Sequence, residues 1–316
     1  MLYQPPPSNP SMAKPWHGIP VIAYHEFDGP AEFSGGPRYD VHGLNIRIET
    51  FRMQLQLMYD KGFWPVNLTA VIRRQARVPE GKAPIVLTFD DGRPSQFRYL
   101  SGGKIDPKCA IGTLIDFHRA HPDWPLRGDF YLIAGSDRNG VPFDQEGSER
   151  AKVRWLAAQG FEIGNHTLTH PSFRFLSGSK IVHELAGCDR YLKSLAPKLR
   201  VETFALPYGQ PPRDGSLWPL LRNGREGRSA YHNIGVALFG GGVCPEPGDP
   251  NFNPWAIPRI APSPGLVEKI LSSRGNERIE SEPANPTGRE GRQFNQVQLT
   301  AEQSRAFPSV RVSLHQ

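Results

Sequence analysis

The stretch "IVLTFDDGRPSQF", residues 85–97, decides how this chain is read. Ile85, Val86, Leu87, Thr88 and Phe89 form an apolar run that predicts a buried strand. The run ends on two adjacent carboxylates, Asp90 and Asp91, followed by Gly92. Like charges side by side repel, and burial raises the pKa of at least one unless something compensates. A metal ion, a basic side chain or water could do so.

Outward from this strand, apolar strand-like runs alternate with helix-like ones. "GIPVIAYH" and "RGDFYLIAG" read as strands, as do "FEIGNH" and "VETFALPYG". "ETFRMQLQLMYDKG" carries Phe51, Leu55 and Met58 at helical spacing and ends at Gly62, a helix stop. "CAIGTLIDFHRAH", "SERAKVRWLAAQG" and "SKIVHELAGCDRYLKSLA" read as further helices. This β-α-β-α order predicts an α/β fold with a parallel sheet or barrel. Active sites in such folds lie at the C-terminal ends of strands. The rule selects Tyr24-His25, Asp90-Asp91, Asn165-His166 and Pro207-Tyr208, which would meet at one face.

"FEIGNHTLTHPSF" holds His166 and His170, with Pro171 next, so a loop rather than a helix is expected there. Two histidines and one carboxylate with open positions are a common catalytic metal set. Asp91 can supply the carboxylate, and a bound divalent cation would answer the charge problem. Asp90 would then be free to act as a base.

These segments resemble the polysaccharide deacetylases, the NodB-like group of carbohydrate esterase family 4. The resemblance rests on "LTFDDG" (87–92), "GFEIGNHTLTH" (160–170) and "TFALPYG" (203–209), in that order. "IPVIAYHEF", "FRMQLQLMYDKGFWPVNL" and "AIPRI" (256–260) resemble a secreted bacterial poly-N-acetylglucosamine deacetylase branch. It implies a distorted (β/α) TIM-like barrel. It implies one divalent metal, zinc above cobalt, manganese or nickel, on Asp91, His166 and His170. It makes Asp90 the general base and gives the Tyr208 amide a share in holding the oxyanion. The implied reaction removes N-acetyl groups from an acetylated polysaccharide of the cell wall or cell surface. The alternatives are amidohydrolysis of a small non-sugar amide and a polysaccharide-binding pseudoenzyme.

Two departures stand out. The family's third motif often carries an Arg where this chain has Ala205, so the brace for Asp90 must come from elsewhere, with Arg93 a candidate. The general acid is a late His in the family, and none stands near 260–275. His25, at the end of the first predicted strand, is the site candidate; His232 and His315 are read as loop and tail residues. Trp218, Phe239 and Trp255 could stack on sugars but are more commonly core.

The rest of the sequence mostly excludes. The 316 residues suit one large domain with tails, or two small domains. A net charge of +6 comes with no basic stripe and no nucleic-acid motif, so no nucleic-acid partner is expected. Cys109, Cys188 and Cys244 form no C-x-x-C pair and read as reduced thiols. No G-x-S-x-G elbow, H-E-x-x-H pair or phosphate loop occurs, and no run is long enough to span a membrane. Residues 1–17 read as a Pro-rich tail or linker without a signal pattern, 18–272 as the catalytic domain and 273–316 as a disordered polar tail. The family resemblance implies an extracytoplasmic or cell-surface location, with a cytoplasmic one left open. "GREGR" occurs at 224–228 and 288–292 and is read as compositional bias.

Overall fold

The computed structural model describes residues 18–28, 43–135, 141–263 and 265–272. Both predicted tails lie outside the described residues, as does His315. Seven strands follow one another around a barrel: β1 (Val21–Tyr24), β2 (Ala83–Asp91), β3 (Asp129–Leu132), β4 (Glu162–Asn165), β5 (Thr203–Ala205), β6 (Gly235–Gly241) and β7 (Ile257–Arg259). Every neighbouring pair in this order is parallel. The gap between β7 and β1 is bridged at Ile22 and Ile260, with Ala23 N–H donating to Ile260 O at 2.9 Å. A short eighth strand, Phe63–Pro65, pairs with the start of β2. The sheet is thus a nearly closed barrel ringed by helices, as the element order predicts.

Alternation along each strand sorts the core into an inside and an outside. Val21, Val86, Tyr131, Ala205, Ala237 and Ile257 share the inner cluster. Their neighbours Ile22, Leu87, Phe89, Phe130, Leu132 and Ile163 pack outward with helical residues such as Phe51, Leu55, Met58 and Leu114. The inside is tightly filled. A Cβ at Gly164 would stand 2.3 Å from the Tyr131 ring, so the β4 position beside that ring takes only glycine.

The helices form where the periodicity places them. Ile48–Asp60 buries Phe51, Leu55 and Met58; Glu149–Gln159 stops at Gly160, whose φ of 90° suits a glycine. Gly178–Leu195 buries Ile181, Leu185, Cys188 and Leu192. All three cysteines are buried and unbridged. Among the described residues no helix is long and apolar enough to cross a membrane. The first GREGR lies on the hairpin of Asn223–Glu226 and Ser229–His232, which packs on helix Gly178–Leu195. His232 is exposed there, on a strand rather than in the expected loop, and away from the barrel mouth.

Candidate active site

The C-terminal ends of the strands supply the chemistry. Along β2, Val86, Thr88 and Asp90 lie on the inner face, so Asp90 points into the mouth of the barrel. Regular pleating would send Asp91 the other way. Its φ is +74°, and Gly92 follows at +75°. This left-handed turn brings Asp91 to the site already occupied by Asp90, at a backbone cost that non-glycine residues rarely bear. The adjacent carboxylates therefore share one site because the strand ends irregularly.

His166 and His170 arrive on a loop that is firmly held. Thr167 has φ +72° and His170 φ +56°. Thr167 N–H donates to Asn165 Oδ1 and His170 N–H to Thr167 Oγ1, each at 2.8 Å. Glu184, from helix Gly178–Leu195, accepts from Leu168 N–H at 3.0 Å and from Thr169 N–H and Oγ1 at 2.8 Å. The H-x-x-x-H is thus non-helical, as expected, and pinned from beneath by a carboxylate the motif does not contain.

Asp91, His166 and His170 converge, with one ligand atom from each lying within 4.8 Å of the others. Asp91 Oδ1 is 3.3 Å from His166 Nε2 and 3.6 Å from His170 Nε2. His166 Nδ1 lies 2.8 Å from the Ala205 carbonyl, which can only accept. The Nδ1 proton is thereby fixed and the Nε2 lone pair faces inward, the tautomer a metal ligand needs. The donor set of two imidazoles and one carboxylate, with space left open, fits a divalent cation of the zinc type.

The brace for Asp90 is Arg259, at the end of β7. Its guanidinium forms a two-pronged pair with the carboxylate, 2.7 Å to Oδ1 and 2.6 Å to Oδ2, and also donates to Thr88 Oγ1 at 3.0 Å. Arg259 is fully buried. A bulge sets Gly240 and Gly241 both opposite Arg259, and the Leu238 carbonyl accepts from Arg259 Nε at 2.6 Å. The sequence reading offered Arg93 for this role. Arg93 instead lies against Asp91 Oδ2, at 3.2 Å, and Glu26, at 3.7 Å. It follows the left-handed turn, so it shares the rim with Asp91 rather than the barrel interior with Asp90.

Ionisation follows from these contacts. Burial alone would raise the Asp90 pKa, but Arg259 and His166 outweigh it and hold it below the usual carboxylate range. Burial also opposes ionisation of Asp91; the hydrogen bond to His166, with His170, His25 and Arg93, takes it well below that range. His166 is raised, because Asp91 and Asp90 overcome its burial. His170 is lowered to about 4 by burial and by the neighbouring His166.

His25 lies at the end of β1, with Nε2 3.7 Å from Asp90 Oδ2 and Nδ1 3.2 Å from the Ala23 carbonyl. Burial lowers its pKa, more than Asp90 and Asp91 raise it. Gln96 donates to the His25 carbonyl at 2.6 Å and also to the Asp90 carbonyl, tying the two strand ends together. Phe239 packs edge-on against His25 at 5.2 Å. Tyr208, at φ +57°, sets its half-exposed ring 4.6 Å from His170. All six sequence-selected site residues are therefore at one mouth. Trp218 and Trp255 are buried in the core, and only Phe239 of the three aromatics reaches the site.

Residues 126–220 match the family model described as Polysaccharide deacetylase. That segment is similar to polysaccharide deacetylases. The matched segment contains His166, His170 and Tyr208; the fold adds Asp90 and Asp91 from β2. The chain is 24% identical over 166 residues to the chitooligosaccharide deacetylase of Bradyrhizobium sp. (strain ANU 289), covering 51% of this chain and 60% of that relative. It therefore spans less than two thirds of that relative's length. Two solved structures resemble it in fold. Streptococcus pyogenes deacetylase PplD in complex with acetate has a TM-score of 0.58 at 17% identity, covering 82% of this chain and 99% of that one. IcaB from Ammonifex degensii has a TM-score of 0.54 at 18% identity, covering 83% and 98%. At these identities the likeness concerns the fold alone.

Proposed function

We propose that this chain is a metal-dependent hydrolase that removes N-acetyl groups from a polysaccharide of the N-acetylglucosamine type. The observation that carries this reading is the convergence of Asp91, His166 and His170 beside an Asp90 held ionised by Arg259. In this reading Asp91, His166 and His170 hold one divalent cation, with zinc the first choice, and residues 18–272 form the catalytic domain.

A bound cation supplies Lewis-acid chemistry at the acetyl carbonyl. Asp90 accepts the proton of the attacking water; each of its oxygens keeps a lone pair beyond the one that Arg259 uses. Arg259 makes the base form available throughout the neutral range. The Tyr208 amide shares in stabilising the oxyanion. The leaving amine needs a proton, and neutral His25, with Nε2 3.7 Å from Asp90 Oδ2, takes up the proton that Asp90 has accepted and passes it on through Nε2, since Nδ1 faces the Ala23 carbonyl. Within the substrate class, the resemblance of "IPVIAYHEF" and "AIPRI" favours a β-1,6-linked poly-N-acetylglucosamine-like polymer at the cell surface.

The test is metal content after zinc reconstitution, followed by acetate release from β-1,6- and β-1,4-linked N-acetylglucosamine oligomers. We expect about one metal per chain, lost in His166→Ala, with acetate release tracking occupancy. A protein that takes up no metal, or that releases no acetate when loaded, would overturn the proposal.

A further inference from the structure

Beside the mouth lies a second cleft, of about 620 Å³, between the loop after His170 and the loop after Tyr208. Both loops leave the C-terminal ends of neighbouring strands, β4 and β5, so the cleft opens on the face of the site. Phe175 follows His170, and Arg213 follows Tyr208, by five residues. Each is therefore no more than about 18 Å from that site residue. The loops are joined: Ser172 Oγ donates to Gln210 Oε1 at 2.6 Å, and Arg213 N–H to the Arg174 carbonyl at 3.1 Å. Beneath them Phe173 and Trp218 are fully buried, and Trp218 Nε1 is tied to the Pro212 carbonyl at 3.1 Å. The floor is fixed, so the rim residues project from a rigid base.

That rim is unusual for a solvated surface. Phe175 is 75% exposed, the highest value among the large apolar side chains described. Arg174 lies against its ring, 5.6 Å from the centroid. Neither Arg174 nor Arg213 pairs with a carboxylate among the described residues. Asp214 also lines the cleft, but its carboxylate accepts from Ser216 N–H at 2.9 Å. Two unpaired guanidiniums and an open aromatic ring suit a ligand with an apolar ring face and a planar anion.

We propose that this cleft binds a carboxylate-bearing sugar unit of the polymer, a short distance along the chain from the unit that is deacetylated. The inference rests on the polysaccharide deacetylase reading above, and in place of the neutral β-1,6-linked homopolymer it puts an acidic polysaccharide that carries N-acetylglucosamine beside carboxylate-bearing sugars. The arginines take the carboxylate and Phe175 takes the apolar face of the ring.

Binding is measured apart from turnover, on the full chain without added metal, by titration calorimetry. One probe alternates N-acetylglucosamine with glucuronate; the other is a chitin oligomer of the same length. We expect the acidic probe to bind at least tenfold more tightly at low salt, with the advantage shrinking as salt rises. Arg174→Gln with Arg213→Gln should abolish that advantage, whereas Arg225→Gln, on the outer hairpin, should leave it intact. Equal binding of the two probes, no binding of either, or a preference that survives the double substitution would overturn the subsite. Acetate release is assayed separately on the same proteins. Arginine-dependent binding without acetate release by the metal-loaded enzyme would overturn the deacetylase reading and leave the subsite standing.

Discussion

The barrel holds two pairs of neighbouring carboxyl groups, one at each end, and they behave oppositely. At the C-terminal end Asp90 and Asp91 meet Arg259, Arg93 and three histidines, and both are held ionised. At the N-terminal end Asp129 and Glu162 stand opposite each other at the starts of β3 and β4. Their partners are the Leu68 N–H, 3.0 Å from Asp129, and the Thr69 hydroxyl and N–H on Glu162. Among the described residues no guanidinium or imidazole forms an ion pair with either, and the more distant Arg259 and Arg73 lower them less than burial raises them. Burial and the neighbouring Glu162 charge raise Asp129 well above the carboxylate range, and burial raises Glu162. Asp129 Oδ1 has no donor among the described residues. The residue types are alike. What differs is whether cations stand in contact with them, and in the proposed reading that separates a catalytic pair from a structural one.

The largest effect should come from Asp90→Asn. Acetate release by the metal-loaded protein should fall about 10²- to 10⁴-fold with metal content unchanged, because only the base is removed. An unchanged kcat would rule out the base role. Next is Arg259→Met, which makes the C-terminal pair resemble the other one. A buried carboxylate left without its cation should cost about 3–5 kcal/mol of stability in denaturant unfolding. The pH dependence should also change sign. In the wild type, Asp90 and Asp91 contribute stability that is present above the ordinary carboxylate pKa and lost as pH falls through their depressed values. In Arg259→Met burial should lift the Asp90 pKa above its unfolded value, so that its contribution is instead present at low pH and lost as pH rises through the raised value.

A smaller effect is expected from Glu184→Gln, which leaves the fold but loosens the loop carrying His166 and His170. Zinc affinity, measured by competition with a chelator, should drop about tenfold. Unaltered affinity would mean that the loop is held by Asn165 and Thr167 alone. The smallest effect belongs to the N-terminal pair. The folded-state pKa of Asp129 is raised, so its contribution is fully present below the ordinary carboxylate pKa and lost as pH rises through the folded value. Asp129→Asn should remove that loss and stabilise the protein by on the order of 1 kcal/mol near neutral pH. A destabilisation of several kcal/mol at pH 7 would show that the charged form is needed there.

Much of the C-terminal pair's setting was legible because it is local in sequence. The apolar run into Asp90-Asp91, the H-x-x-x-H with its proline and the strand-end rule placed all six site residues at one mouth. Arg259 was not found, since its partner stands 169 residues away and nothing beside it announces a charge pair. A signal did exist. Ile257 faces the barrel interior, and alternation puts Arg259 two residues on, on the same face. A charged residue there requires a buried partner. Glu184 had a similar mark, a carboxylate on the buried stripe of Ile181, Leu185 and Cys188. The left-handed φ of Asp91, His170 and Tyr208 had none, because these positions lack the glycine that advertises such a turn.

The contrast between the two pairs is tested most directly by a site-resolved NMR titration of the aspartate carboxyl carbons in the metal-free protein. At about pH 5 the account predicts Asp90 ionised and Asp129 still protonated in the same sample. If both titrate together near the ordinary aspartate value, the partners do not set the two ends apart, and the assignment of Asp90 as a base held ready by Arg259 is contradicted.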